Sequence, residues 1–539
     1  MTDIFVIGNG LAGLSAAIRL AELGEHVTVV SVCEPCRTQS VLAGGGINAC
    51  LNTKNQNDSV ELHAEDTLKA GHYLADPKAV RRLTKAAPKL VQQLAKEGVV
   101  FSRDEYGNID LRYFGGQKKM RTAFSKSGIG KQLVTGLSSL FYKYIAQEKI
   151  TFMEGYRFVS PVLSGAGRCI GVVLENTRTG DLSSHPVKGL IAASGGLGNL
   201  FSKSTGALTS NAGVSAALFS CGIKMANLEM IQYHPTTIQT PSKCILISES
   251  ARGDGGRLFT FKDGKRWYFM EELYPEGGNL MPRDVVSRTI HRVCSDMHLG
   301  INGEYKVGLQ LEHLEKKILS ENLKEVCRIS KIYLNLDPAK EYIPVSPGIH
   351  YFMGGIYTDY LHRTTIPGIY AAGECACQYH GANRLGGNST LGAIFGGRTA
   401  AETAALEAES PDASAADAAC RAELDRVRAK AGLKPSLSGM RKLREIMDSC
   451  MGVARDSISL TSGLEALSSL KKEAKGGFLE MVLLAEAMVC SALSRKESRG
   501  AHYRTDFPDE NAEFAKVTVA SYEDFAVTVS FDEIGREFA

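Results

Sequence analysis

Tryptophan is almost missing from this 539-residue chain, and so is any imbalance of charge. The single Trp is Trp267. The 62 Lys and Arg residues nearly cancel the 59 Asp and Glu residues, for a net charge of +3 with both signs mixed throughout. That balance carries no nucleic-acid signature. Long apolar runs are also absent. The best candidate, Met481–Leu493, is shorter than a membrane span and contains Glu486, so it reads as a buried amphipathic helix. The 13 cysteines have no regular spacing. Cys33-x-x-Cys36 and Cys375-x-Cys377 lack a second pair at zinc spacing, so no metal site is expected. Most of these thiols read as small core residues in a reducing cytoplasm. No internal repeat is visible, and the first strand pattern begins almost at Met1, which leaves no room for a signal peptide. The expected location is therefore cytoplasmic. The length predicts more than one domain.

What is present begins at the N-terminus. Asp3–Gly8 reads as a short apolar strand, and Gly8-Asn9-Gly10-Leu11-Ala12-Gly13 completes GxGxxG. Leu14–Leu23 has helical periodicity, Gly24 ends it, and Val27–Val30 is the next strand. In this βαβ context the glycines make a tight turn and the helix N-terminus faces a pyrophosphate. One departure is that the second strand ends in Ser31, not in the Asp or Glu that would grip a ribose; Glu34 follows but is not assigned that role. On this pattern alone NAD and FAD are both open.

Two further loops, Leu42–Ile47 (LAGGGI) and Ser194–Gly198 (SGGLG), have the composition of backbone packed against a cofactor. A third follows the apolar run Ile366–Ala371, which reads as a strand. Ala372–Ser389, AGECACQYHGANRLGGNS, sets His380 and Arg384 among very small residues. Arg suits a carboxylate through two parallel hydrogen bonds, and a strand running into such a loop is where open α/β sheets bind ligands. Residues 1–225 alternate strands, helices and Gly-rich loops. Residues 226–341 read as an inserted α+β region with basic helical stretches such as Arg283–Met297. Strand–loop–helix character returns over 342–401, and 402–500 read as helices. The Ala-rich, charged stretch Ala400–Ala429 is expected to be a helix broken at Ser410-Pro411. The tail, 501–539, alternates Val and Thr and reads as an edge strand.

Eight stretches carry a resemblance. They are GNGLAGLSAAIRLAE, RYFGGQKKMRTAF (Arg112–Phe124), NLEMIQYHPTTI (Asn227–Ile238), LISESARGDGGR (Leu246–Arg257), NLMPRD (Asn279–Asp284), HYFMGG (His350–Gly355), HGANRLGGNS, and RKESRGAH (Arg495–His502). In this order, along nearly the whole chain, they resemble the flavoprotein subunit of succinate dehydrogenase and fumarate reductase, a relative of L-aspartate oxidase. The type in bacilli and epsilonproteobacteria is the most similar. The resemblance implies an α/β fold: a Rossmann-like FAD-binding domain in two parts (1–225 and 342–401), an inserted α+β capping domain (226–341), a helical domain (402–500) and a tail (501–539). It also implies FAD, with a dicarboxylate held between cap and flavin.

Reduction of a C=C bond flanked by two carboxylates needs a hydride, cationic donors for both carboxylates, and a proton for the neighbouring carbon. His234, Ser248, His350 and Arg384 supply donors, and Phe114 borders the substrate. By resemblance Arg283 is the proton donor, with Glu249 and Arg252 as the relay that reloads it. Free guanidinium scarcely deprotonates, so such a transfer has to be concerted. The residues expected at the cofactor are Gly8, Gly10, Leu11, Ala12, Gly13, Ser31, Gln39, Ser40, Gly44, Gly45, Gly46, Gly195, Gly196, Glu374, Asn388 and Ser389.

Two departures refine the expectation. Most members bond FAD covalently through a histidine in an R-S-H-S/T-V stretch; here the stretch is Arg37-Thr38-Gln39-Ser40-Val41, and an amide cannot form that bond. FAD is therefore expected to be non-covalent, and its lower potential favours fumarate reduction. L-aspartate oxidases read the substrate ammonium with a glutamate where this chain has Phe114. L-aspartate oxidase, or a reductase of another unsaturated acid on the same scaffold, is the alternative. No cysteine set here ligates an iron–sulfur cluster, and no second nucleotide fingerprint is present. The resemblance implies an iron–sulfur partner subunit, with or without a membrane anchor that would hold the assembly at the cytoplasmic face. It also suggests a chain that stops well short of its relatives at the C-terminus.

Overall fold

The computed structural model describes residues 3–126, 128–207, 209, 212–241, 244–430 and 437–538. Positions 1–2, 127, 208, 210–211, 242–243, 431–436 and 539 of the expected domains lie outside the described residues. The framework is a five-stranded parallel sheet in the order Ile369–Ala371, Gly189–Ala192, Ile4–Ile7, Val27–Ser31, Ile150–Glu154. Its strands are apolar almost throughout because both faces are covered, one by helices such as Leu11–Glu22 and Asn388–Glu407, the other by the antiparallel strands Tyr156–Leu163 and Cys169–Asn176. The first crossover helix is Leu11–Glu22, longer at its start than the periodicity predicts. It packs against Asn388–Glu407, the helix that follows the Ala372–Ser389 loop. Gly13 permits the tight turn before it: a Cβ there would stand 1.8 Å from the Gly8 carbonyl oxygen.

The strand expected over Ile366–Ala371 forms only at Ile369–Ala371. Pro367 has no N–H to give a ladder, and Gly368 takes φ +81°. The cap is built on a six-stranded antiparallel sheet, ordered Cys244–Leu246, Ile231–Gln239, Ile343–Phe352, Val307–Gln310, Arg257–Lys262, Lys265–Trp267. Ile343–Phe352 belongs to this sheet, which therefore runs past residue 341 and returns the chain to the parallel framework. The helix expected over Arg283–Met297 is α-helical at Arg283–His291 and then widens into a π-turn, Arg292–Asp296.

The break at Ser410-Pro411 is present, between Asn388–Glu407 and Ala413–Lys430. Two strands, not one, form in the tail: Val517–Glu523 pairs with Met225–Ala226, and Ala526–Asp532 is the edge. Gly476–Ser494 is the one helix among the described residues long and apolar enough to cross a membrane. Over half of it is buried in the core against neighbouring helices, and Lys471 Nζ lies 2.8 Å from Glu486.

Candidate functional site

A cavity of about 1430 Å³ runs from the first βα turn to the inner face of the cap. One end is lined by Gly8, Gly10, Leu11, Ala12, Ser31, Gln39, Ser40 and Gly44–Gly46, the other by His234, Glu249, Arg283, His350 and Arg384. Gly195, Glu374 and Ser389 line it between, and Phe114 and Ser248 stand on its wall. The glycine ends are cradles with no room for side chains. A Cβ on Gly8, at φ +107°, would meet the Ala193 carbonyl oxygen at 2.3 Å, and one on Gly46 would meet Thr122 Cγ2 at 2.3 Å. Ser31 Oγ donates to Asn9 Oδ1 (2.8 Å), and Asn9 Nδ2 to the Cys33 carbonyl (2.6 Å), which locks the fingerprint to the second strand. The cavity has the size and the bare backbone that a dinucleotide needs, so the residues present fit FAD.

Four expected residues do not line the cavity. Gly13 and Gly196 act through close approach; a Cβ on Gly196 would stand 2.4 Å from Glu374 Oε1. Asn388 is turned away into the core. Its Oδ1 accepts from Asn48 Nδ2 (2.7 Å) and lies 3.0 Å from His63 Nε2, while its Nδ2 donates to Thr67 Oγ1 (2.9 Å). A side chain so engaged holds the loop in place from behind the cavity wall. Arg252 lies behind Glu249 and donates to the Asn279 carbonyl (2.6 Å).

At the cap end the cap helix presents Arg283 from its first residue. Its Nε and Nη2 donate to Glu249 Oε2 at 2.9 and 2.6 Å. Glu249 stands at the start of a single helical turn, Ser250–Gly253, that places Arg252 Nη2 3.5 Å from Glu249 Oε1. Gly115 N–H also donates to Glu249 Oε1 (3.2 Å). Burial alone would raise this carboxyl, but Arg283 and Arg252 outweigh it and bring it down to about 2, so it is ionised. Arg384 reaches in from the opposite loop, with Nη1 donating to Ser389 Oγ (3.1 Å) and its plane 4.4 Å from the Tyr351 ring centre. Burial, and then Arg283, lower its pKa to about 9.

His234 and His350 face each other edge to face, ring centres 5.2 Å apart. Burial first, then Arg283, hold both well below the usual histidine range, so both are neutral. The Thr236 carbonyl already accepts from Ile247 N–H (3.0 Å), and Thr236 N–H has only His234 Nδ1 as acceptor (3.3 Å). Nδ1 also lies 3.2 Å from the Thr236 carbonyl and 3.3 Å from its Oγ1, and Nε2 is buried without a partner. Thr205 Oγ1 holds His350 Nδ1 at 2.9 Å. His380, singled out in the loop, packs against Tyr351 and is pushed down to about 3 by burial.

Around this end three guanidiniums, Arg252, Arg283 and Arg384, face one ionised carboxylate, Glu249. Burial pushes a second carboxyl on the wall, Glu374, up to about 7, so it is only partly ionised near neutral pH. These groups together carry a positive surplus, and buried charge left unmatched is costly, so the site suits an anionic ligand. One residue of this constellation is not evident in the sequence: Gln232, whose Oε1 accepts from both Arg283 Nη1 and Arg384 Nη2 at 3.0 Å. The only hint is its place two residues before His234 on one strand.

Comparison with known proteins decides the family. Residues 3–390 match the FAD binding domain family, and residues 476–537 match the fumarate reductase flavoprotein C-term family. The chain is 37% identical to the succinate dehydrogenase flavoprotein subunit of Bacillus subtilis, over 97% of this chain and 94% of that one. It belongs to the succinate dehydrogenase/fumarate reductase flavoprotein family. The fumarate reductase flavoprotein subunit of Mycobacterium tuberculosis is 34% identical over 95% of this chain and 93% of its own. Among solved structures, E. coli quinol fumarate reductase superposes with a TM-score of 0.91 at 27% identity, covering 100% of this chain and 97% of that one. The Mycobacterium smegmatis Sdh1 complex gives 0.83 at 26% identity, covering 100% and 95%. This flavoprotein subunit is thus an FAD-dependent oxidoreductase acting on CH–CH groups. The coverage of its relatives also corrects the expectation of a C-terminus well short of theirs.

Proposed function

We propose that this flavoprotein subunit reduces fumarate to succinate, with FAD held non-covalently and electrons delivered by an iron–sulfur partner. The observation that carries the reading is the cluster of guanidiniums, in excess of Glu249, around a buried pocket continuous with the FAD cavity. FAD, when bound, supplies the hydride. Arg384 clamps one carboxylate, and Nε2 of His234, with His350 and the Ser248 hydroxyl, receives the other. Arg283 gives the proton to the neighbouring carbon. Glu249 Oε2 holds its guanidinium on two nitrogens and so fixes the direction of the remaining one. Glu249 and Arg252 together form the reloading relay, since an ionised carboxylate between two guanidiniums can pass a proton from one to the other. Phe114, 4% exposed, closes the pocket beside Gly45 and offers no charge to an ammonium group.

The direction and the flavin attachment rest on Gln39. Its Oε1 accepts from Ala207 N–H at 2.6 Å, so it is held at the cavity wall as an amide. Acid precipitation is expected to release all FAD into the supernatant and leave no fluorescent band on a denaturing gel. A fluorescent protein band would overturn non-covalent binding. Relatives carry the names succinate dehydrogenase and fumarate reductase, so both directions have to be assayed. With reduced dye, fumarate reduction is expected to run faster than succinate oxidation, and L-aspartate is expected to give no hydrogen peroxide. Robust aspartate oxidation without fumarate reduction would instead make the enzyme an L-aspartate oxidase. Copurification from the native source is expected to bring an iron–sulfur protein with it.

A further inference from the structure

Gln232 is fully buried and lies behind the cavity wall, not on it. Its amide has only one possible orientation. Nε2 donates to Asn383 Oδ1 (2.8 Å) and to the Arg384 carbonyl (2.9 Å), both acceptors. Oε1 then faces Arg283 Nη1 and Arg384 Nη2, both 3.0 Å away, and guanidiniums can only donate. Asn383 is held in turn, its Nδ2 donating to Asp284 Oδ1 (2.8 Å), next to Arg283 on the cap helix. Every polar atom of Gln232 is thus engaged, and the arrangement has no slack.

The elements that meet here differ. Arg283 comes from the cap helix, Arg384 and Asn383 from the loop after the parallel sheet, and Gln232 from the first long strand of the cap sheet. One carbonyl oxygen therefore sets the spacing between the proposed proton donor and the proposed carboxylate clamp. It does so without charge. A carboxylate at this place would hold the same two guanidiniums but would cancel part of their surplus, and the substrate dianion would meet a weaker field.

We propose that Gln232 is the positioning residue of the site: a neutral bridge that fixes Arg283 against Arg384 while leaving their charge for the substrate. The inference rests on the function proposed above, and the test separates the two. The FAD-loaded enzyme and the variants Gln232→Glu and Gln232→Met are compared. Malonate affinity is read from the flavin absorbance change, and kcat and KM for fumarate from reduced-dye oxidation. Gln232→Glu keeps the oxygen that accepts from both guanidiniums, but it turns the Nε2 donor into an oxygen facing Asn383 Oδ1 and the Arg384 carbonyl and adds a negative charge, so malonate affinity is expected to fall at least about tenfold. Gln232→Met keeps the volume and the positive surplus, so malonate affinity is expected to stay within about threefold while kcat falls at least about tenfold through lost alignment. A residue of purely structural importance would not divide the two variants in this way. Wild-type malonate affinity in Gln232→Glu, or wild-type kcat in Gln232→Met, overturns the inference. If Gln232→Glu fails to load FAD, the kcat of Gln232→Met alone decides. An unmodified enzyme that binds malonate yet does not reduce fumarate would overturn the function proposed, not the bridge.

Discussion

Replacing Arg283 by alanine is expected to lower fumarate reduction by about 10²–10⁴-fold, the range a positioned acid contributes, while FAD stays bound. Affinity for malonate is expected to change far less. The reason is the division of labour in the pocket. Arg283 spends two nitrogens on Glu249 and one on Gln232, so in the ground state it acts on a bound carboxylate mainly through its charge, the loss of which is expected to cost about tenfold in malonate affinity. Its proton is needed only as the transition state forms, and an interaction made only there lowers kcat and kcat/KM together. A second consequence falls on Glu249. Without Arg283, burial gains over the remaining charges, and the carboxyl rises from its value of about 2. Arg283→Lys is expected to recover only part of the rate, because an ammonium cannot span Glu249 and Gln232 as a planar fork does. Near-normal turnover in Arg283→Ala would move the proton donor elsewhere, and His350 is the next candidate.

Arg384→Ala is expected to lose substrate binding as well as rate. Its Nε is buried with no partner, and burial and Arg283 together depress its pKa to about 9. Both are signs of a cation waiting for an anion. Removing one partner of a buried, hydrogen-bonded charge pair costs about 2–5 kcal/mol, so KM for fumarate is expected to rise by about 300-fold at the middle of that range. The same reasoning gives the substrate preference. A monocarboxylic enoate such as acrylate or cinnamate leaves one end of the surplus unmatched, and a strong preference for fumarate is expected. Malonate and oxaloacetate are expected to compete. Equal turnover of cinnamate and fumarate would show that one end of the pocket is not a carboxylate clamp. An Arg384→Ala enzyme with an unchanged KM would show the same of Arg384.

Much of this molecule was legible in its sequence, for a physical reason in each case. The fingerprint Gly8–Gly13 is local: a strand, a tight turn and a helix N-terminus are consecutive, so backbone sterics alone demand those glycines at those places. The helix break at Ser410-Pro411 is equally local. Motif resemblance proposed eight site residues from Phe114 to Arg384, of which seven line the cavity, and it supplied the family, which the full-length comparisons show. Where the reading from sequence went astray, the cause was tertiary. Asn388 starts the helix beside the cofactor cavity, yet its side chain turns to buried partners from two other segments, Asn48 and Thr67. The strand at Ile366 was cut short by a proline that an apolar pattern outweighs.

The sequence by itself determined which chemistry is available: three arginines, a glutamate and two histidines in recognisable motifs, and a glutamine where a flavin-linking histidine would stand. It could not determine how those charges balance, because charge balance in a buried site depends on distance and on which groups share an environment. Arg252, Arg283 and Arg384 lie as far as 132 positions apart and converge on Glu249 and Gln232 only when the cap sheet folds over the loop that follows the parallel sheet. The positive surplus, the neutral histidines and the bridging amide all arise there, since burial strengthens the coupling between groups that water would otherwise screen.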